Sequence, residues 1–200
     1  MKSLLLLSGG MDSSSAAFML RKRNEVDAMF FNYGQKSFRQ QRKAVRKVTE
    51  TLGMNMIEVD VSGLGDVFSR GEWMKPHEPI KHRNVILLST AITYASEKGY
   101  DEVVLATVNE DCEYEPNKPY ILREFRSLGE VMKVNVSTPF VKLSKSMVLR
   151  IGVNNGMDPS ITYSCMLGHE KHCGKCSQCE HRRLAFIGAG IKDPTQYMSM

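Results

Sequence analysis

Residues 8–14 read Ser-Gly-Gly-Met-Asp-Ser-Ser and follow directly on four leucines, Leu4 to Leu7. A pair of glycines lets the backbone turn tightly and approach a ligand with no Cβ in the way. If a helix opens here, the loop amides and the first free N–H groups of that helix converge on one point. Hydrogen bonds and the helix dipole together make such a point an anion site. Ser8, Ser13 and Ser14 add hydroxyl donors, and Asp12 stands where an N-cap belongs. No Lys follows the glycines, so the pattern is not a Walker loop. Phosphate binding is the chemistry this heptad predicts. The alternative is an ordinary strand–turn–helix connection with an Asp cap.

A second cluster is Cys165, Cys173, Cys176 and Cys179, spaced C-x7-C-x2-C-x2-C. The two nested short spacings aim successive thiolates at one centre, and Gly174 helps the turn. Four thiolates around one ion select tetrahedral zinc. An iron–sulfur cluster is the competing reading. A four-cysteine site has no open coordination position, so Zn2+ here is expected to be structural. It would staple the C-terminal segment and a helix at 181–188 onto the core. With four thiolates present, His169 and His172 are expected to support the ligands or to face solvent.

The loop needs a buried strand before it, which the leucines supply, and a helix after it, which residues 13–23 supply with Ala16, Ala17, Phe18 and Leu20. Residues 26–32, 55–61, 102–106 and 133–138 read as further strands, and 35–52, 83–97, 120–132 and 144–154 as further helices. In the 35–52 helix Phe38, Val45, Val48 and Leu52 recur at helical spacing, and Gly53 ends it. Its other side carries Lys36, Arg39, Arg42, Lys43, Arg46 and Lys47, read as a solvated face. Val85, Leu88, Ile92 and Ala95 mark the apolar face of the 83–97 helix, and Ser144 stands near the cap of the 144–154 helix. Strands alternating with helices predict a parallel sheet. Residues 62–81, punctuated by Gly and Pro around the single Trp73, read as a lid-like section. Residues 107–118 are acidic and turn-rich, and they leave the C-terminal end of a strand, where open α/β sheets bind ligands.

The chain has 200 residues, 42% of them hydrophobic and 24% charged, ordinary for one globular domain with a small appendix. Residues 1–160 are expected to form the part that carries the phosphate loop and 161–200 the metal-binding segment packed on it. Lys and Arg outnumber Asp and Glu by 27 to 22, a net +5 that permits a polyanionic ligand without demanding nucleic acid. No apolar run approaches membrane-span length, and four leucines are too few for a signal peptide. A cytoplasmic protein is expected, in which cysteines suggest metal before disulfides.

The heptad also resembles the SGGxDS pyrophosphate loop of the PP-loop ATP pyrophosphatases, and the resemblance runs along nearly the whole chain. It includes FNYGQK (Phe31 to Lys36), Arg83-Asn84 and TPFVKLSK (Thr138 to Lys145). It goes on through TYSCMLGHEKHCGKCSQCEHR (Thr162 to Arg182) to FIGAGIKDP (Phe186 to Pro194). Together these resemble the QueC family, the 7-cyano-7-deazaguanine synthases of queuosine biosynthesis.

That resemblance implies an α/β, Rossmann-like PP-loop (adenine nucleotide alpha hydrolase-like) fold. It implies a five-stranded parallel sheet with helices on both faces and a C-terminal four-cysteine zinc knot. The implied reaction activates the carboxylate of 7-carboxy-7-deazaguanine with ATP and Mg2+, and ammonia then gives the amide and finally the nitrile. On matching positions, Asp12, Ser13 and Lys145 would act in the chemistry. Ser8, Gly9, Gly10, Met11, Asp12, Ser13, Ser14, Tyr33, Gln35 and Arg83 would hold ATP, and Asn84 and Asp111 the deazaguanine. Cys165, Cys173, Cys176 and Cys179 would hold zinc. A homodimer is expected, with a small-molecule substrate, no membrane and no direct nucleic-acid contact.

The acceptor side departs from the family pattern: Lys81-His82 precedes Arg83-Asn84, and residues 111–118 lack an Arg. An alternative is therefore a relative that stops at the amide or joins the acid to an amine of a protein or other macromolecule. A nucleotide-binding or zinc-knuckle module without turnover is a different class, and the intact heptad argues against it. Sulfur-inserting PP-loop enzymes need reactive cysteines beyond a metal site, and only Cys112 remains.

Overall fold

The computed structural model describes residues 1–74, 76–113 and 117–198. Its middle strand is β1 (Lys2–Leu6), which pairs in parallel with β2 (Glu25–Asn32) on one side and with β4 (Glu102–Val104) on the other. β3 (Met56–Asp60) and β5 (Asn135–Ser137) complete a five-stranded sheet in the order β3-β2-β1-β4-β5, every pair parallel. Strands buried on both faces need helices on both, and these read as continuous apolar runs.

The leucine run divides by the two-residue period of a strand. Leu5 and Leu7 face a core built with α1 (Met11–Leu20), α2 (Phe38–Leu52), α6 (Lys145–Asn154) and α7 (Ser177–Ala189), through Phe18, Val45, Val148 and Phe186. Leu4 and Leu6 face the other core, built with α4 (Arg83–Lys98) and α5 (Pro119–Val131) through Leu88, Ile92, Leu122 and Phe125. The chain winds outward from β1 to β3, then returns to β4 on the opposite side. This reversal opens a crevice between the C-terminal ends of β1 and β4.

Several expectations are corrected. Asp12 does not cap α1: the N-cap is Gly10 in extended conformation, no side chain caps the helix, and Asp12 lies within the first turn. Its carboxylate goes to Lys145 instead. α2 begins at Phe38, because the Gln35 amide accepts from the Tyr33 N–H at 2.9 Å and donates to the Phe31 carbonyl at 3.0 Å, which holds a turn there. Val85 is 41% exposed; the buried face of α4 is Leu87, Leu88, Ala91, Ile92 and Ala95.

The section 62–81 opens with a helix, α3 (Ser62–Phe68), that the sequence did not announce. Gly65 lies against the Tyr33 carbonyl with no room for a Cβ, and the Lys36 N–H donates to the His77 carbonyl. Both contacts anchor the section, while Trp73 stays 91% exposed. The expected cap at Ser144 is present, its hydroxyl accepting from the Met147 N–H at 3.3 Å. In the acidic segment Asn109–Glu113 form a 3-10 turn; Tyr114, Glu115 and Pro116 lie outside the described residues.

Candidate active site

A cavity of about 640 Å3 fills the crevice. The loop from Ser8 to Ser13 forms one wall, carried there by β1 and turned by Gly9. Gly9 has φ +76°, and a Cβ on it would meet the Gln41 carbonyl and Ala44 of α2 at 2.8 and 2.9 Å. Its lack of a side chain thus serves close packing and a left-handed turn. Within the loop the Ser8 N–H donates to Ser13 Oγ at 3.2 Å, and the two hydroxyls are 3.0 Å apart. Ser8, Gly10 and Ser13 all line the cavity wall.

α6 approaches α1 closely, with Gly152 against Ser15 where a Cβ would clash. That contact brings Lys145, the first residue of α6, beside Asp12. Lys145 Nζ lies 2.9 Å from Asp12 Oδ2 and 3.0 Å from Asp111 Oδ1. Burial opposes the Lys145 charge, but Asp12 and Asp111 outweigh it and hold the ammonium above its usual range. Burial pushes the Asp12 carboxyl up, against the pull of Lys145. Among the described residues, Asp12 Oδ1 is buried without a hydrogen-bond partner. A hard, underused carboxylate oxygen at the phosphate loop fits Mg2+ as a ligand.

The facing wall comes from the 62–81 section and α4. Glu78 accepts from Tyr33 Oη at 3.3 Å and pairs with Arg83 at 2.8 Å, and the Arg83 guanidinium stands 5.4 Å from the Tyr33 ring centroid. Burial, with Glu78 adding to it against the effect of Arg83, raises the Tyr33 phenol above its normal range, so it donates and stays neutral. Asn84 donates to Asn117 at 2.7 Å, and Asn117 donates to the Asp111 carbonyl at 3.3 Å.

Of the residues singled out in the sequence, Ser8, Gly10, Met11, Asp12, Ser13, Tyr33, Gln35, Arg83, Asn84, Asp111 and Lys145 all line this one cavity. Gly9 and Ser14 do not; Gly9 packs on α2, and the Ser14 hydroxyl is buried without a partner among the described residues. Sequence reasoning missed Glu78, Asn117, Tyr163 and Arg182 among the lining residues. Arg182 and Tyr163 stood in the cysteine motif and could have been found there. Glu78 and Asn117 lie in irregular chain that carries no periodic signal.

The four cysteines converge as their spacing predicts. Their sulfurs all lie within 4.8 Å of one another, and Cys173 Sγ and Cys179 Sγ are 3.9 Å apart. Tetrahedral ligation at about 2.3 Å puts sulfurs about 3.8 Å apart, so the donor set fits zinc. Burial pushes the Cys165 and Cys179 thiols up, and repulsion from the neighbouring cysteines adds to it. At Cys173 burial is outweighed by N–H donors of Lys175 and Cys176, which bring it down to about 7. A bound dication removes that repulsion.

His172 supports this knot without ligating: burial, with the Arg182 charge added, lowers its imidazole to about 4, and its neutral Nε2 accepts from the Ser164 N–H at 3.1 Å. His169 is exposed, and its carbonyl accepts from Tyr163 Oη at 2.7 Å. The knot also borders the cavity, since Tyr163, Ser164, Gln178 and Arg182 all line it.

The family described as "Queuosine biosynthesis protein QueC" matches residues 2–190. The chain is 49% identical to "7-cyano-7-deazaguanine synthase 1" of Sulfurisphaera tokodaii over all of both chains. It is 34% identical to "7-cyano-7-deazaguanine synthase 2" of the same organism, over 98% of this chain and 48% of that longer protein. Among solved structures, the U34-tRNA thiolase NcsA from Methanococcus maripaludis with its 4Fe-4S cluster shares the fold. Its TM-score is 0.59 at 19% identity, over 94% of this chain and 65% of that one. No helix among the described residues is long and apolar enough to cross a membrane.

Proposed function

The chain belongs to the QueC family of queuosine-biosynthesis proteins, and from that premise we propose that it is a 7-cyano-7-deazaguanine synthase. It activates the carboxylate of 7-carboxy-7-deazaguanine with ATP. Ammonia then gives the amide, and a second activation allows dehydration to the nitrile. The observation that carries this reading is the convergence of the Ser8–Ser13 loop, Lys145 and the Arg83–Asn84 pair on one crevice.

A carboxylate is a poor electrophile because its leaving group would be an oxide. Transfer of AMP to one carboxylate oxygen expels pyrophosphate and turns that oxygen into part of a phosphate leaving group. Attack of ammonia on the carbonyl then releases AMP and a proton. Loop amides with the Ser8 and Ser13 hydroxyls are proposed to hold the β,γ-phosphates, aided by the N-terminus of α1. Lys145 is fixed between two carboxylates, and the third N–H of its ammonium is proposed to meet charge developing at the α-phosphate. Tyr33, Gln35 and Arg83 are assigned to the nucleotide, and Asn84 and Asp111 to the deazaguanine.

Magnesium, held in part by Asp12, would neutralise phosphate charge, and zinc on the four cysteines would cross-link residues 161–200 to the ATP-binding part. Exposed Met147, Leu184 and Ile187 on the packed pair α6 and α7 support pairing of two copies. The relatives named as synthases do not favour a reaction that stops at the amide or transfers to a macromolecule.

Mass spectrometry and nucleotide chromatography after incubation with ATP, Mg2+, ammonia and 7-carboxy-7-deazaguanine test the proposal. The nitrile, AMP and pyrophosphate are expected. ADP as the sole nucleotide product would replace adenylation with acyl-phosphate chemistry.

A further inference from the structure

Among the described residues the largest fully buried side chain is Arg182, 1% exposed on α7, and no step above uses it. Its Nε donates to Thr195 Oγ1 at 2.6 Å, and one terminal nitrogen donates to the Pro159 carbonyl at 3.0 Å. The other donates to Thr162 Oγ1 at 2.8 Å and Ser164 Oγ at 3.2 Å. Asp193, the carboxylate that acts on it, is linked to it through Thr195, whose N–H donates to Asp193 Oδ1 at 2.9 Å. A guanidinium buried on neutral oxygens is costly to place, and what it supplies is a rigid planar fork.

The fork grips both neighbours of Tyr163. Between them the Tyr163 N–H donates to the Gly9 carbonyl at 2.8 Å. Gly9 is wedged on its other side against Gln41 and Ala44 of α2. The first glycine of the phosphate loop is thus held between α2 and a segment whose position Arg182 dictates.

We propose that Arg182 is a positioning residue for the phosphate loop: by fixing Thr162 and Ser164 it presents the Tyr163 N–H to Gly9 and sets the loop's grip on nucleotide phosphates. The proposal rests on the reading that this loop holds ATP. It makes the cysteine knot and the phosphate grip one mechanical unit, because α7 carries both Cys179 and Arg182, and Cys165 follows Ser164.

The test compares the wild type with Arg182→Lys, Arg182→Gln and Thr162→Val. Thr162 lies outside the catalytic cavity wall, and its replacement removes one acceptor of the fork while keeping charge and volume. Calorimetry with a non-hydrolysable ATP analogue, metal content per chain, thermal midpoint and steady-state constants are measured for each. Thr162→Val and Arg182→Lys are expected to bind the analogue about tenfold more weakly, the scale of one hydrogen bond. KM for ATP should rise with it while KM for the deazaguanine acid and metal content hold, and Gln should lose more than Lys.

Unchanged analogue affinity in Thr162→Val and Arg182→Lys, with only a lower thermal midpoint, overturns the proposal and leaves Arg182 a scaffold residue. If Arg182→Gln does not fold, Thr162→Val decides. A wild type that does not bind the analogue overturns the ATP reading itself, and the positioning role with it.

Discussion

Asp12 shows what a single residue can hide. Its place after two glycines reads as a cap, and locally that is sound. The structure instead sends one oxygen to Lys145, 133 positions away, and leaves the other buried and, among the described residues, unpartnered. Capping is a local rule, and it loses here to an ion pair that only the tertiary fold creates. Asp12→Ala and Ser13→Ala are each expected to lower turnover roughly a hundredfold, about 3 kcal/mol of transition-state stabilisation. Zinc content and the circular dichroism spectrum should not change. Wild-type rates in both variants would remove the loop from the reaction.

Asp111 is the second case. Its carboxylate meets Lys145 at 3.0 Å, with its other oxygen 3.5 Å from the Val108 N–H. A deazaguanine offers N1–H and an exocyclic amine side by side, which one carboxylate can accept. Asp111→Asn puts a donor where an acceptor is needed. Affinity for the deazaguanine acid is expected to fall by about tenfold or more while ATP-analogue affinity changes little. Equal losses for both ligands would mean that Asp111 serves only to hold Lys145.

At the scale of elements, long periodic segments were legible and short ones were not. The apolar spacing of residues 38–52 predicted α2, because burial on one face leaves a period in the sequence, and the unbroken leucine run predicted β1, because that strand is buried on both faces. α3 escaped notice because Gly63 and Gly65 carry no helix propensity; it forms where Gly65 packs against Tyr33, a tertiary reason. β4 and β5 are only three residues long; β4 was overdrawn at its C-terminal end and β5 at both ends.

The cysteine knot was legible outright, since its spacing is its geometry. What the spacing could not say is that the knot would also wall the cavity. Cys176→Ser is expected to lose the metal and to lower the thermal midpoint clearly, because ligation and folding are coupled. Elemental analysis gives the metal: one zinc per wild-type chain is expected, and iron would replace the zinc assignment.

For the molecule as a whole, the tail after α7 is tied back by charge. Burial works to raise the Asp193 carboxyl, but hydrogen bonds from Thr195 and Tyr197, with the Arg182 charge, hold it below its usual value. A carboxyl depressed in the folded state adds stability above its unfolded pKa, about 4, and loses it as pH falls through the folded value. The stability gap between wild type and Asp193→Asn is therefore expected to be full near neutrality and to close below about pH 4. Denaturant melts across that range measure it, and a gap independent of pH would show that Asp193 acts only by shape.

The order of the sheet also sets an order in time. Ser3 lies opposite Val26 on one side and Glu102 on the other, so the central strand gains its two neighbours at very different moments of synthesis. Strands from β1 to β3 can assemble as the ribosome delivers them. The other edge of β1 waits for a further stretch of chain, exposing Leu4 and Leu5 as an apolar strand edge in search of a partner. Parallel pairing across so long a separation is slow. The hazard for this protein therefore lies in that interval during biosynthesis, where a competing strand or another nascent chain can take the place reserved for β4.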